Sequence, residues 1–244
     1  METAKPIMLI VRPSARAAED VETCLNAGWR AEVLSPVEIE ADAAGLELLS
    51  EQYARADAVF WVSPTAIETA VPYLNLSDGI KIHIAVGQGS RRALERYLGR
   101  TVIAPHDGND SEAVLRLPVW DGLREGGRVL FVRGHGGRDF LMRRLREKGL
   151  QTELAEVYFR RPLEPDWTQF AAAPPDAAWI TSAESVRLLF AAAPPPFTQK
   201  LQSLLYFTHH QRVAEALRAA GATRVELIPA LDIDTLNRYA EQNR

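Results

Sequence analysis

A chain of 244 residues, 47% hydrophobic and 25% charged, can form one large domain or two ordinary ones, each with its own core. The formal net charge of −4 argues against a broad nucleic-acid-binding surface, and a single cysteine, Cys24, excludes an intrachain disulfide and a cysteine-built zinc site. No stretch approaches the roughly 20 apolar residues of a membrane span, and METAKPIMLIVRP has too short an apolar run for a signal peptide; the expectation is a cytoplasmic protein with no membrane or nucleic-acid partner.

Ile7 to Val11 is a continuous apolar run, as expected of a strand covered on both faces. A helix follows from about Ala15 to Ala27, stopped by Gly28, with Cys24 in its pattern as a buried small apolar residue, and then a strand over Ala31 to Leu34. Pro36 and the segment VEIEAD read as a connector. A helix over Leu46 to Ala54 precedes the strand DAVFWV, 57–62. Ser63 then Pro64 is a helix-start signal, serine as N-cap and proline at the first helical position. Ile80 to Val86 is a strand ending at Gly87, Ser90 to Leu98 a helix, Thr101 to Ala104 a short strand, and Ser111 to Leu123 a helical stretch broken by Pro118.

The pattern then starts again. Leu130, Val132, Arg133 and Gly149 fall on Leu9, Val11, Arg12 and Gly28 at one offset, 133 − 12 = 121; DAAWIT matches DAVFWV at 176 − 57 = 119, which puts Ser182 on Ser63. The second half reads as strands over Val129 to Val132, Thr152 to Tyr158, Asp176 to Thr181, Leu204 to Phe207 and Val225 to Ile228, with helices over Arg138 to Lys148, His209 to Ala220 and Ile233 to Glu241 and a connector over Arg160 to Pro165. The simplest account is an internal duplication. It predicts an α/β fold of two similar, flavodoxin-like, doubly wound parallel-sheet lobes with a cleft between them.

In such sheets ligands bind beyond the carboxyl ends of the strands, which singles out Arg12, Ser63, Gly87 to Ser90, Arg133 to Arg138, Tyr158, Ser182 and Thr208 to His210. Each has a plain reading beside a functional one. GHGGR, with Gly134, and VGQGS, with Gly87, are tight turns or backbone cradles for an anion. Ser63 and Ser182 are helix caps that could also touch an anion. His209 and His210 could bind an anion or be solvated, and His83 reads as structural. Tyr158 is either amphipathic packing or a proton donor to a leaving oxygen. The arginine pairs, Arg160–Arg161 among them, read as solvated helix faces. No nucleophile elbow, dinucleotide fingerprint or P-loop is present.

Across nearly its whole length the chain resembles the uroporphyrinogen-III synthase family. The resemblance rests on Val11-Arg12-Pro13, on FWVSPTAIE (60–68), AVGQGSRRALERYLG (85–99), RGHGGRDFLMRRLREKG (133–149), VYFRRP (157–162) and WITSAESV (179–186). It implies a two-lobed monomeric enzyme without cofactor or metal. The enzyme would close the linear tetrapyrrole hydroxymethylbilane into uroporphyrinogen III, losing water and inverting the last pyrrole. It also implies swapped lobes, 1–35 plus 163–244 and 38–160, with a two-segment hinge near 36–37 and 161–162. Tyr158 would be the catalytic residue, acting on the departing hydroxyl, and Ser63, Ser90, Ser182 and Thr208 would meet substrate carboxylates, joined at the strand ends by Arg12, Pro64, Gly87, Arg133, Gly134 and His209. The turn after the ninth strand, Phe207 to Arg212, departs from the family's Gly-X-Thr-Thr-like form. The resemblance leaves open a transient contact with the enzyme that supplies the substrate. The competing readings are a two-lobed binder that releases its anion unchanged and a nucleotide-dependent Rossmann-type enzyme.

Overall fold

The computed structural model describes residues 5–77 and 81–242; the expected strand start at Ile80 and the first four residues of the opening segment lie outside that range. The chain opens with β1 (Ile7–Val11), α1 (Ala18–Asn26) and β2 (Arg30–Val33). It continues through β3 (Val37–Ala41), α2 (Ala43–Arg55), β4 (Ala58–Trp61), α3 (Pro64–Ala70), β5 (Ile82–Ala85), α4 (Gln88–Leu98), α5 (Ser111–Leu115), β6 (Arg128–Gly134), α6 (Phe140–Glu147) and β7 (Gln151–Pro162). It closes with α7 (Thr168–Ala172), β8 (Ala177–Ile180), α8 (Ala183–Ala192), α9 (Pro195–Ser203), β9 (Leu205–Thr208), α10 (Gln211–Ala219), β10 (Arg224–Leu227) and α11 (Ile233–Gln242).

These elements form two compact units. One is built from the described residues up to Glu38 and from Arg161 onward; the other is Ile39–Arg160. The first unit holds the sheet β10-β9-β8-β1-β2, all parallel, which in chain order is the 2-1-3-4-5 arrangement of a doubly wound sheet. The opening strand therefore pairs with strands from the far end of the chain. The second unit holds β3-β7-β6-β4-β5, with an isolated parallel bridge from Ile84 to Ile103 beyond β5. The strands β8-β1-β2 of one sheet thus correspond in position to β4-β6-β7 of the other.

The central strands read as apolar runs because both of their faces are covered: all four residues of β4 and all five of β1 are buried. In the second unit one face carries Val59, Trp61, Leu130, Val132, Ala155 and Val157 against Leu49, Tyr53 and Ile67. The other face carries Phe60, Ile84, Val129 and Phe131 against Leu141 and Leu145. Apolar clusters cover both faces of the first unit's sheet in the same way. Cys24 is fully buried there, and desolvation pushes its thiol pKa up to about 12, so it is an inert packing residue.

Three expectations need correction. VEIEAD is not a connector: Val37–Ala41 is an edge strand, β3. The backbone bonds Leu163 N to Pro36 O and Asp42 N to Val157 O hold the residue sum constant at 199, which is antiparallel pairing with β7. The expected connector from Arg160 is strand as far as Pro162, because β7 runs on to meet β3. The expected strand at Thr101 to Ala104 shrinks to the single bridge at Ile103.

Candidate functional site at the carboxyl edges of the two sheets

In the second unit, Ser63, Gly87 and Gly134 lie at or just beyond the carboxyl ends of β4, β5 and β6, and Tyr158 lies within β7, paired with Gly134. Tyr158 owes its direction to a fault in the ladder. Arg133 pairs with Glu156 but Gly134 pairs with Tyr158, so β7 carries one extra residue at that point. Strict alternation would turn Tyr158 away from Val157. The bulge instead puts Ala155, Val157 and Tyr158 in the same core cluster. Gly134 lies beneath the ring, where a Cβ would overlap it, so the glycine is required by close approach.

Tyr158 is only 1% exposed. Its hydroxyl accepts a hydrogen bond from Arg160 Nη2 at 2.6 Å and lies 3.2 Å from Ser63 Oγ. The Arg160 guanidinium also lies over the phenol ring, 5.0 Å from its centroid. Ser63 caps α3, accepting from Ala66 N at 3.0 Å, with Pro64 in the first helical position. Sequence reasoning reads Arg160 as a solvated helix arginine; it is an exposed strand residue bonded to the tyrosine two places before it.

Arg133 is buried and committed inside the fold. It pairs with Asp139 at 2.9 Å and Glu156 at 3.3 Å and donates to the Arg138 carbonyl at 3.1 Å. Beside it, and unforeseen from sequence, His135 lies 2.7 Å from Asp42 and 3.3 Å from Glu156, flat on Phe159 with ring centroids 3.9 Å apart. The hydrogen bond from His135, followed by the Gly45 and Ala44 backbone N–H groups, holds the Asp42 carboxyl below its usual range. Gly87 precedes α4, packed where a Cβ would meet Asn109; Ser90, in the first turn of α4, is buried with its hydroxyl unpartnered. His83, expected to be structural, accepts from Trp61 Nε1 at 3.1 Å and lies 3.3 Å from Tyr53 Oη in the core.

In the first unit, Arg12, Ser182, Thr208 and His209 sit at the ends of β1, β8 and β9. Arg12 is ion-paired with Asp20. Desolvation nevertheless leaves the Asp20 carboxyl above its usual range, against the pull of Arg12. Ser182 caps α8 through a long 3.4 Å bond from Ser185 N. Thr208 is 0% exposed and its hydroxyl has no partner. The His209 ring packs by Trp179, with centroids 5.6 Å apart. His209 is exposed, yet desolvation of its ring beside Trp179, then His210, then Arg12, act in one sense and push its pKa down to about 4. It is therefore a neutral imidazole near pH 7, not a cation.

Two cavities in the second unit, about 410 and 420 Å³, open among Asp57, Lys81, Arg128 and Gln151, at the amino ends of the same strands, and so belong to no part of this site. Among the described residues no helix is long and apolar enough to cross a membrane.

A family profile described as uroporphyrinogen-III synthase HemD matches residues 18–230. The chain belongs to the uroporphyrinogen-III synthase family. It is 26% identical over 243 residues to the uroporphyrinogen-III synthase of Escherichia coli K12, an alignment covering 95% of this chain and 98% of that one. It is 27% identical over 253 residues to that of Salmonella typhimurium, again with 95% and 98% covered. Two solved structures share the fold over almost the whole chain. A mutant uroporphyrinogen III synthase from the extremely thermophilic bacterium Thermus thermophilus has a TM-score of 0.62 at 16% identity, covering 98% of this chain and 100% of that one. The uroporphyrinogen-III synthetase of Helicobacter pylori 26695 has a TM-score of 0.61 at 15% identity, covering 99% and 100%.

Proposed function

We propose that this protein is a uroporphyrinogen-III synthase, a cyclising lyase that closes hydroxymethylbilane into uroporphyrinogen III with loss of water and inversion of the last pyrrole. The family match over residues 18–230 carries this reading. Breaking the C–O bond of the hydroxymethyl group needs a proton for the departing oxygen, and the cation left behind is stabilised by the pyrrole nitrogens themselves. What remains for the protein is to supply that proton and to hold the chain so that the substituted carbon of the last ring is the one attacked.

Tyr158 is the residue proposed for the proton, supported by its hydroxyl's position between Arg160 and Ser63 beside the carboxyl end of β4. Ser90, Ser182, Thr208 and the backbone at Gly87 and Gly134 are proposed as carboxylate contacts. Arg133, its guanidinium engaged by two carboxylates, is proposed to act through the shape of the Gly134–Gly137 turn: a Cβ at Gly137 would come within 2.9 Å of its side chain. The net charge of −4 suits binding by helix starts and backbone N–H groups better than by a basic field. The offsets of 119 and 121 residues and the corresponding strand orders support descent from one duplicated unit.

The test is to supply purified protein with hydroxymethylbilane and separate the product isomers. The type III isomer is expected. Formation of the type I isomer alone, the product of unassisted closure, would reject the reading.

A further inference from the structure

We propose that Arg160 is a positioning residue that orients Tyr158 and Ser63 as a proton chain whose outlet is Ser63 Oγ. The proposal rests on the reading of Tyr158 given above and goes beyond it in naming the atom that meets the substrate.

The argument is a count of donors and acceptors. Arg160 can only donate, so Tyr158 Oη is the acceptor of the 2.6 Å bond. The phenol's single proton then has one partner within reach, Ser63 Oγ at 3.2 Å. The opposite arrangement, with Ser63 donating to the phenol, would strand the phenol proton on a side chain that is 1% exposed. Ser63 Oγ accepts twice, from Tyr158 and from Ala66 N at 3.0 Å. Both lone pairs are then used, and its own proton is left to donate. Ser63 is half-buried, whereas Tyr158 is closed over by Arg160 above and seated on Gly134 below. The serine, not the tyrosine, has the open side.

The chemistry balances along this chain. The substrate's C–O bond breaks with its electron pair going to oxygen, which takes the Ser63 proton and leaves as water. Ser63 takes the Tyr158 proton, and the phenolate oxygen so formed keeps its hydrogen bond from Arg160. The cation on the substrate closes the ring and then loses one proton, which returns through Ser63 to Tyr158.

The test is a double-mutant cycle of Arg160→Met and Tyr158→Phe, with Arg160→Lys alongside, read as kcat and KM on hydroxymethylbilane. Arg160 is exposed, so the variants are expected to fold, which circular dichroism checks. Arg160→Met is expected to lower kcat about 10-fold with KM nearly unchanged, to lower it no further in the Tyr158→Phe background, and to be partly rescued by lysine. An equal fall in both backgrounds, a rise in KM with kcat kept, or no effect overturns the proposal while leaving the role of Tyr158 standing. Full kcat in Tyr158→Phe alone removes that role, and the proton chain with it.

Discussion

At the carboxyl edge of the Ile39–Arg160 unit, the Tyr158 hydroxyl meets a guanidinium on one side and a serine on the other. At the same edge of the other unit, Thr208 buries a hydroxyl that meets nothing, beside a histidine kept neutral. The strands β9-β8-β1-β2 and β5-β4-β6-β7 correspond in position, so their arrangement does not make this difference. One extra residue in β7 and the bond to Arg160 do. A hydroxyl held in a directed chain is suited to moving a proton. A buried hydroxyl with no protein partner is a group that a ligand atom can pair, since an unpaired one costs about 1–3 kcal/mol. On the reading proposed above, the proton transfer belongs to the second unit, and Thr208 of the first serves ground-state binding.

The largest effect is expected at Tyr158. Tyr158→Phe should lower kcat about 100-fold while changing KM little, the scale of a lost general acid. Gly134→Ala should come next. Its Cβ would overlap the Tyr158 ring, so unfolding free energy should drop by about 1–3 kcal/mol in denaturant titration, and kcat should fall toward the Tyr158→Phe value. Unchanged kcat in a folded Gly134→Ala protein would mean that the placement of the ring does not matter.

Asp42→Ala removes both the cap of α2 and the partner of His135, and should cost about 1 kcal/mol. Because the folded carboxyl is held below its usual range, its contribution is present above the unfolded value near 3.9 and is lost as pH falls through the lower folded value. Thr208→Val should behave oppositely to most core substitutions, leaving stability unchanged or raising it by about 1 kcal/mol, since it removes an unanswered hydroxyl. The smallest effect is expected at His209. Its folded pKa, about 4, lies below the unfolded value near 6.5, so the unfolded chain binds more protons between them. Its contribution is complete above about pH 6.5 and is lost as pH falls toward 4. Melting temperatures of His209→Gln across that window should slope less steeply than those of the natural chain.

Much of the fold is legible in the residues themselves. Ile7–Val11 and Ala58–Trp61 are apolar throughout because both faces of a central parallel strand are covered. Ser63-Pro64 marks the start of α3 because a cap and a proline at the first helical position leave few other conformations. β3 escapes such a reading because an edge strand packs only Val37 and Ile39, while Glu38 and Glu40 make VEIEA look like a loop. α9, which begins at Pro195, has no counterpart among the expected helices. At the site, strand ends and the family resemblance locate Tyr158 and Ser63. The bulge that aims the tyrosine leaves no mark in the residue pattern, since it depends on register with β6. The Asp42–His135–Glu156 group joins residues up to 114 positions apart (156 − 42), a pairing that only the fold brings together.

The most direct test of the division of labour is a pair of substrate-saturation curves, Tyr158→Phe and Thr208→Val against the natural chain, in one hydroxymethylbilane assay. The account predicts a lower plateau with an unmoved midpoint for the first, and a kept plateau with a midpoint shifted to higher substrate for the second. A lowered plateau for Thr208→Val, or a shifted midpoint with full plateau for Tyr158→Phe, would contradict it.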